Sequence, residues 1–158
     1  MEYRAVVLTI SDRCSRGIAD DRSGPAIIER LPDLHAQLIH REILPDDIEP
    51  IRAAARTWLG RCDLLLTTGG TGIAPRDVTP EALEPLIERT LPGFGEAMRS
   101  VAFASKPTTV LSRAGAGVSG STLVAWLPGA PAAIGECLEA LAPAIRHACK
   151  LLHGEQPH

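Results

Sequence analysis

Apolar residues fall along this chain in short runs that alternate between strand-like and helix-like spacing. Residues 4–11 carry Ala5-Val6-Val7-Leu8-Thr9-Ile10, a continuous apolar run ending at the polar Ser11-Asp12-Arg13. Such a run reads as a strand buried on both faces, followed here by a loop that continues to Asp21. A helix comes next: Ser23 can cap it, Pro25 suits its first turn, Ala26, Ile27, Ile28 and Leu31 form an apolar face, and Pro32 stops it. Residues 36–44 are a weaker strand candidate and run into Pro45-Asp46-Asp47. Asp47 can cap the following helix, where Pro50 lies in the first turn and Ile51, Ala54, Ala55, Trp58 and Leu59 recur at helical spacing.

Residues 63–68 form a short buried strand leading into Gly69-Gly70-Thr71-Gly72. Thr79-Pro80-Glu81 opens a helix to about Arg89, because threonine caps, proline fits the first helical position and an acid favours the N-terminal dipole. A further helix is expected over 96–104, a short strand over 108–111, a stronger strand over 121–126 and a long amphipathic helix over 132–152. Strands alternating with helices predict a single three-layer α/β/α domain with a mostly parallel sheet over residues 1–152. Its ligand crevice should lie beyond the strand C-termini, and a polar C-terminal tail occupies 153–158.

Composition fits one soluble domain: 158 residues, 45% apolar and 22% charged. A net charge of −3 and only five aromatic residues argue against a nucleic-acid surface, which needs positive charge and stacking platforms. No apolar run approaches the ~18 to 20 residues that span a bilayer. The N-terminal apolar run is too short for a signal-peptide core, so the sequence predicts a cytoplasmic protein with no nucleic-acid or membrane partner. Cys14, Cys62, Cys137 and Cys149 show no C-x-x-C and no pairing with histidine at zinc spacing, so they read as reduced structural thiols.

Lysine is the informative scarcity. Among 16 basic residues only Lys106 and Lys150 are lysines, and neither follows a glycine, which excludes a Walker A loop. Gly115-Ala116-Gly117-Val118-Ser119-Gly120 matches G-x-G-x-x-G but leads into a strand, whereas the dinucleotide fingerprint must leave a strand and open a helix. Its plainer reading is a flexible turn.

Thr67-Thr68-Gly69-Gly70-Thr71-Gly72 has the right context, a buried strand followed by backbone that can approach an anion. Glycines let successive N–H groups form an anion nest without lysine, although the six residues alone are equally compatible with a tight turn. The sequel Arg76-Asp77-Val78-Thr79-Pro80 puts a charged pair between that loop and a helix N-terminus. Asp46 and Asp77 each follow a strand end, and two carboxylates there could hold Mg²⁺. On spacing alone, however, a helix cap and a loop acid are the better reading. Ser11, Asp12 and Arg13 pose the same choice, between phosphate or pterin binding and satisfaction of loop backbone.

The segments Leu8 through Gly17, Asp20-Asp21-Arg22-Ser23-Gly24, Pro45-Asp46-Asp47, Thr67 through Pro80, Leu91 through Glu96 and Leu127-Pro128-Gly129 together resemble the molybdopterin adenylyltransferases of molybdenum cofactor biosynthesis. Relatives of that type include the proteins MogA and MoaB and the G domains of gephyrin and of the plant enzyme. The resemblance implies transfer of AMP from Mg-ATP to the terminal phosphate of molybdopterin, with pyrophosphate released. It implies Asp46 and Asp77 as the essential acids and Mg²⁺ ligands, and a phosphate or substrate site made by Ser11, Asp12, Arg13, Thr68, Gly69, Gly70, Thr71, Gly72 and Arg76. A homotrimer is also implied, with the molybdenum-insertion enzyme as a partner. A non-catalytic trimeric molybdopterin carrier is the alternative. The chain departs from the family pattern at Ser119, where many members carry a basic residue, and at Trp126, where many carry asparagine.

Overall fold

The computed structural model describes residues 2–155. Six strands form one sheet in the order β2-β1-β3-β6-β5-β4. They are β1 (Tyr3–Ile10), β2 (Ala36–Leu44), β3 (Leu64–Thr68), β4 (Arg89–Thr90), β5 (Gly115–Ser119) and β6 (Thr122–Leu127). The pairs β1/β2, β1/β3 and β3/β6 are parallel, while β5 is antiparallel to both β6 and β4.

The side-chain alternation of β1 and β3 divides the core in two. Ala5, Val7, Leu64 and Leu66 pack toward α2 (Ser23–Ile28), α5 (Pro92–Phe103) and α6 (Pro131–Leu152). Val6, Leu8, Ile10 and Leu65 pack toward α3 (Ile48–Trp58) and α4 (Thr79–Leu83). The central strands are therefore apolar on both faces, as the unbroken sequence runs require, and the three-layer prediction holds. Edge strand β2 buries only Ala36 and Leu44, which is why its periodicity was weak in the sequence.

Several local expectations are corrected. The loop after β1 contains a helical turn, α1 (Asp12–Ser15), whose cap is Ser11: its Oγ accepts from the Cys14 N–H at 3.1 Å. Ser23 does not cap α2; it lies in the first turn and its hydroxyl donates to the Gly129 carbonyl at 2.5 Å. The helix opened by Thr79 stops at Leu83, and a 3-10 turn over Glu84–Leu86 leads into β4. Helix α5 starts at Pro92 rather than at Glu96.

Residues Pro107–Leu111 form a 3-10 turn, not a strand, and leave Val110 61% and Leu111 49% exposed. The Gly115–Ser119 segment, by contrast, is a strand and not a flexible turn. A Cβ on Gly117 would lie 2.3 Å from Ile87 Cγ2, and one on Gly115 would lie 2.9 Å from Trp126 Cζ2. These two glycines serve close packing, and Gly120, at φ 57, supplies the left-handed turn from β5 to β6.

At the opposite end of the sheet from the loops that follow β1 and β3, Asp63 ties the chain together. Its carboxylate accepts from the Arg4 N–H at 2.7 Å and from the Arg4 side chain at 3.2 Å, and His153 Nε2 lies 3.0 Å away. His153 thus belongs to a specific contact, also lying against the Tyr3 ring at 5.5 Å between centroids; tail residues 156–158, including His158, lie outside the described residues. Burial, the largest influence, pushes the Asp63 carboxyl up, but the bonds and charge of Arg4, with His153, outweigh it and leave the group below the ordinary carboxylate range. Asp63→Ala is therefore expected to cost about 2–4 kcal/mol at pH 7, since it strands a backbone donor and a guanidinium. Because the folded-state carboxyl titrates lower than the unfolded one, that advantage is present at neutral pH and fades as the pH falls through the carboxylate range. Urea unfolding of both proteins at pH 7 and pH 4 should show the gap narrowing.

Candidate active site

From β1 the chain crosses to β2 on one side and later to β3 on the other, so the loops leaving β1 and β3 diverge at the sheet's C-terminal edge. Doubly wound sheets bind ligands in the crevice that such a switch point creates. Here the crevice collects the ends of β1 (Ile10-Ser11), β2 (Leu44-Pro45), β3 (Thr68-Gly69) and β6 (Leu127-Pro128).

Two glycines make the β3 loop possible. Gly69 has φ 95 and Gly70 φ 68, conformations that side chains disfavour. A Cβ on Gly69 would lie 2.3 Å from the Ile10 carbonyl oxygen, and one on Gly70 would lie 2.4 Å from Thr79 Oγ1 and 3.2 Å from Asp46 Oδ1. The loop is closed by Thr79, whose N–H donates to the Gly70 carbonyl at 3.1 Å and whose hydroxyl donates to the Gly69 carbonyl at 2.9 Å. Thr68 Oγ1 donates to the Pro128 carbonyl at 2.7 Å, joining the β3 and β6 ends. Among the described residues, the N–H groups of Gly70, Thr71 and Gly72 donate to no protein acceptor. Three successive unspent amides at a strand end suit an anion.

The acids surround that loop. Asp12 and Asp46 bond reciprocally: the Asp12 N–H donates to Asp46 Oδ2 and the Asp46 N–H to Asp12 Oδ1, each at 2.9 Å. Arg76 completes the group with a two-pronged contact to Asp12, Nε to Oδ2 at 3.0 Å and Nη2 to Oδ1 at 3.1 Å. That guanidinium holds the Asp12 carboxyl below its ordinary value, aided by the Asp46 N–H. Asp46 moves the other way. Its burial raises it most, the charges of Asp12 and Asp77 add to the rise, and the Asp12 amide and Arg76 only partly oppose it. Asp77 lies beside Gly72, where a Cβ would be 2.7 Å from Asp77 Oδ2, and that oxygen accepts from the Ala74 N–H at 3.0 Å.

The structure thus brings together Ser11, Asp12, Asp46, Thr68 through Gly72, Arg76 and Asp77. Arg13 stands apart, with an exposed side chain; its carbonyl accepts from the Ile18 and Ala19 N–H groups. Ser11 is occupied as the α1 cap. Asp46 and Asp77 offer hard oxygen donors and repel one another, and no group of three or more His, Cys, Asp and Glu forms a metal cluster among the described residues. One or two carboxylates, completed by water and substrate phosphates, is the donor chemistry that Mg²⁺ uses, so the residues fit that ion.

Two cavities flank the glycine loop. One, about 250 Å³, is lined by Ser11, Cys14, Ser23, Thr68, Gly69 and Gly129. The other, about 380 Å³, runs from Thr71 and Gly72 past Met98, Lys106, Thr109 and Gly129.

Two residues have roles here that the sequence reading did not assign. Asp21 accepts from the N–H groups of Ser23 and Gly24, from Thr9 Oγ1 and from Arg41, pinning the segment before α2 against β1 and β2. Arg113 reaches the glycine loop from the segment before β5, with Nε donating to the Gly72 carbonyl at 2.9 Å and Nη2 to the Asp77 carbonyl at 2.8 Å. Asp21 carried a local signal, an acid two and three residues before the N–H groups it binds. Arg113 carried none, because its partners lie 36 and 41 residues away.

Comparison with known proteins agrees with this architecture. The family model described as a probable molybdopterin binding domain matches residues 6–147. The molybdopterin adenylyltransferase of Helicobacter pylori is 44% identical over 152 residues, covering 94% of this chain and 86% of that protein. The crystal structure of the molybdopterin biosynthesis enzyme MoaB from Thermus thermophilus superposes with a TM-score of 0.90 at 42% identity, covering 97% of this chain and 98% of that one. The molybdopterin biosynthesis Mog protein of Mycobacterium ulcerans gives 0.90 at 32% identity, with 98% and 99% covered. A match that runs through nearly the whole sheet and the helices on both its faces places the chain in one family: it belongs to the molybdopterin-binding domain family of molybdenum cofactor biosynthesis proteins.

Proposed function

We propose that this protein is a molybdopterin adenylyltransferase, transferring AMP from ATP to the terminal phosphate of molybdopterin. An oxygen of the pterin phosphate attacks the α-phosphorus of ATP, the bond from that phosphorus to the bridging oxygen breaks, and pyrophosphate leaves. The observation that carries this reading is the set of three unspent amides at Gly70–72 beside Asp46 and Asp77, flanked by two cavities that give room for two substrates. The chain's similarity to the molybdopterin adenylyltransferase of Helicobacter pylori supports it.

The chain's own groups divide the work. The Gly70, Thr71 and Gly72 amides would receive phosphate oxygens with no lysine required, and Arg76, held by Asp12, sets positive charge at the rim of the site. Asp46 and Asp77 would hold Mg²⁺, which supplies charge neutralisation on the phosphates when bound. No side chain need remove a proton, because a phosphate monoester with its second pKa near ~6 is mostly ionised at neutral pH. Catalysis then rests on alignment and charge stabilisation. The family resemblance is what supports a homotrimer and delivery of product to a molybdenum-insertion enzyme. No helix among the described residues is long and apolar enough to cross a membrane.

Asp46 makes a distinctive test. Its carboxyl is raised in the folded state, so its ionised form is disfavoured by folding; the protonated form gains stability as the pH falls through the folded value, and ionisation at pH 7 costs some. Asp46→Asn removes that cost while keeping an oxygen for the Asp12 N–H. The variant should melt at or above the wild-type temperature yet lose pterin-dependent pyrophosphate release from ATP by about a hundredfold. Wild-type protein that binds molybdopterin and releases no pyrophosphate would favour the carrier alternative.

A further inference from the structure

Arg113 makes more bonds to the glycine loop than any catalytic candidate does, and it touches neither cavity assigned to substrates. Its backbone N–H donates to the Thr71 carbonyl at 2.6 Å, Nε to the Gly72 carbonyl at 2.9 Å and Nη2 to the Asp77 carbonyl at 2.8 Å. The three acceptors are spread along the segment that carries Asp77 and the unspent amides. Two further contacts fix the arginine itself. Nη1 grips both carboxylate oxygens of Glu81, at 2.9 and 2.7 Å, on α4 immediately after the loop. Its carbonyl accepts from Trp126 Nε1 at 3.0 Å, and Trp126 is a buried β6 residue only 4% exposed.

We infer that Arg113 is a positioning residue: it clamps the Thr71–Asp77 loop onto the sheet, so that the amides of Gly70, Thr71 and Gly72 and the carboxylate of Asp77 hold their places before substrate arrives. The inference rests on the adenylyl-transfer reading for its effect on rate. Guanidinium is suited to the task because its rigid fork bonds the Gly72 and Asp77 carbonyls and the Glu81 carboxylate at once, whereas an ammonium is a point charge on a flexible stem with no fixed fork. Those carbonyls belong to a loop in which residues 73–76 are exposed and, from Thr71 to Asp77, only Thr71 is buried, so hydrogen bonds are what limit its motion. The indole N–H of Trp126 holds the backbone of Arg113 to β6, so the clamp is anchored at both ends.

The test uses Arg113→Lys, Arg113→Ala and Glu81→Gln in the full-length protein, with two independent readouts. In the absence of ligand, hydrogen exchange at the loop amides that have protein acceptors, Ala74, Asp77 and Thr79, should quicken about tenfold in both Arg113 variants, while β1 and α6 exchange as in the wild type. In the adenylylation assay, kcat should fall about tenfold for Arg113→Lys and about a hundredfold for Arg113→Ala, the scale expected when a reacting group is misplaced by ~1 Å. The Mg²⁺ concentration for half-maximal rate should rise with it, and molybdopterin affinity should stay within about twofold, a split that simple loss of folded protein would not produce. Glu81→Gln keeps the arginine and an oxygen to accept from Nη1, and should fold and give a smaller change of the same pattern, which covers the case in which Arg113→Ala does not fold. Unchanged loop exchange, or unchanged kcat per folded molecule in Arg113→Lys and Glu81→Gln, overturns the clamp and leaves the adenylyl-transfer reading standing. Faster loop exchange with a wild type that adenylylates nothing supports the clamp and overturns that reading.

Discussion

Asp77→Asn is expected to lower the turnover of molybdopterin adenylylation by a hundredfold or more, about 2.7 kcal/mol of transition-state stabilisation, while changing molybdopterin affinity by less than about threefold. The substitution is nearly isosteric. Asparagine keeps an oxygen to accept the Ala74 N–H, now made by Asp77 Oδ2 at 3.0 Å, and it leaves the Asp77 carbonyl free to accept from Arg113. The loop should therefore retain its shape, and the loss should fall on charge. With Asp46 and Asp77 as the pair that holds Mg²⁺, removing one of two negative donors weakens the metal and the phosphates it would neutralise. Raising Mg²⁺ should recover part of the rate, and wild-type turnover in Asp77→Asn would show that this carboxylate has no role in the reaction.

Gly69→Ala is expected to damage the fold itself, by about 3 kcal/mol or more. A residue with a side chain at φ 95 is strained, and its Cβ would meet the Ile10 carbonyl at 2.3 Å, a backbone atom that cannot swing aside. For a domain of this size such a loss lowers the melting temperature by about 6–12 °C. The clash would force β1 and the β3 loop apart at the point where the crevice opens, so substrate binding should weaken together with stability. Gly60→Ala is the control: φ is 80 there, but nothing lies within 4 Å of the added Cβ, so the strain acts without a collision and the cost should be nearer ~1–2 kcal/mol. A thermal melt of both variants separates the two contributions.

What was readable in the sequence depended on whether the cause was local. β1 and β3 announced themselves because a strand covered on both faces must be apolar at every position. Gly69 and Gly70 were readable because left-handed backbone leaves few alternatives to glycine. Gly115 and Gly117 misled for the complementary reason: their missing side chains accommodate Trp126 on β6 and Ile87 beyond α4, neighbours that no local pattern records. Val110 and Leu111 suggested a strand by composition, yet they sit exposed on a 3-10 turn that Pro107 starts. The site behaved likewise. Its backbone cradle was legible, while the reciprocal Asp12–Asp46 pairing and the reach of Arg113 arise only when four loops converge. On spacing alone Asp46 and Asp77 looked like a cap and a loop acid; the family resemblance pointed to both as site acids, and the sheet order brings them beside Gly70 and Gly72 of one loop.

The most direct measurement follows the label in ATP. Protein, molybdopterin and Mg²⁺ incubated with ATP labelled at the α-phosphate should yield labelled pterin, whereas γ-labelled ATP should yield labelled pyrophosphate and unlabelled pterin, in equal amounts. The rate of label transfer should fall at least a hundredfold in Asp77→Asn and about tenfold in Arg113→Lys. If saturating molybdopterin binds and no α-label reaches it, or if the γ-label does instead, the protein is not an adenylyltransferase and the crevice between β1 and β3 serves another reaction or none.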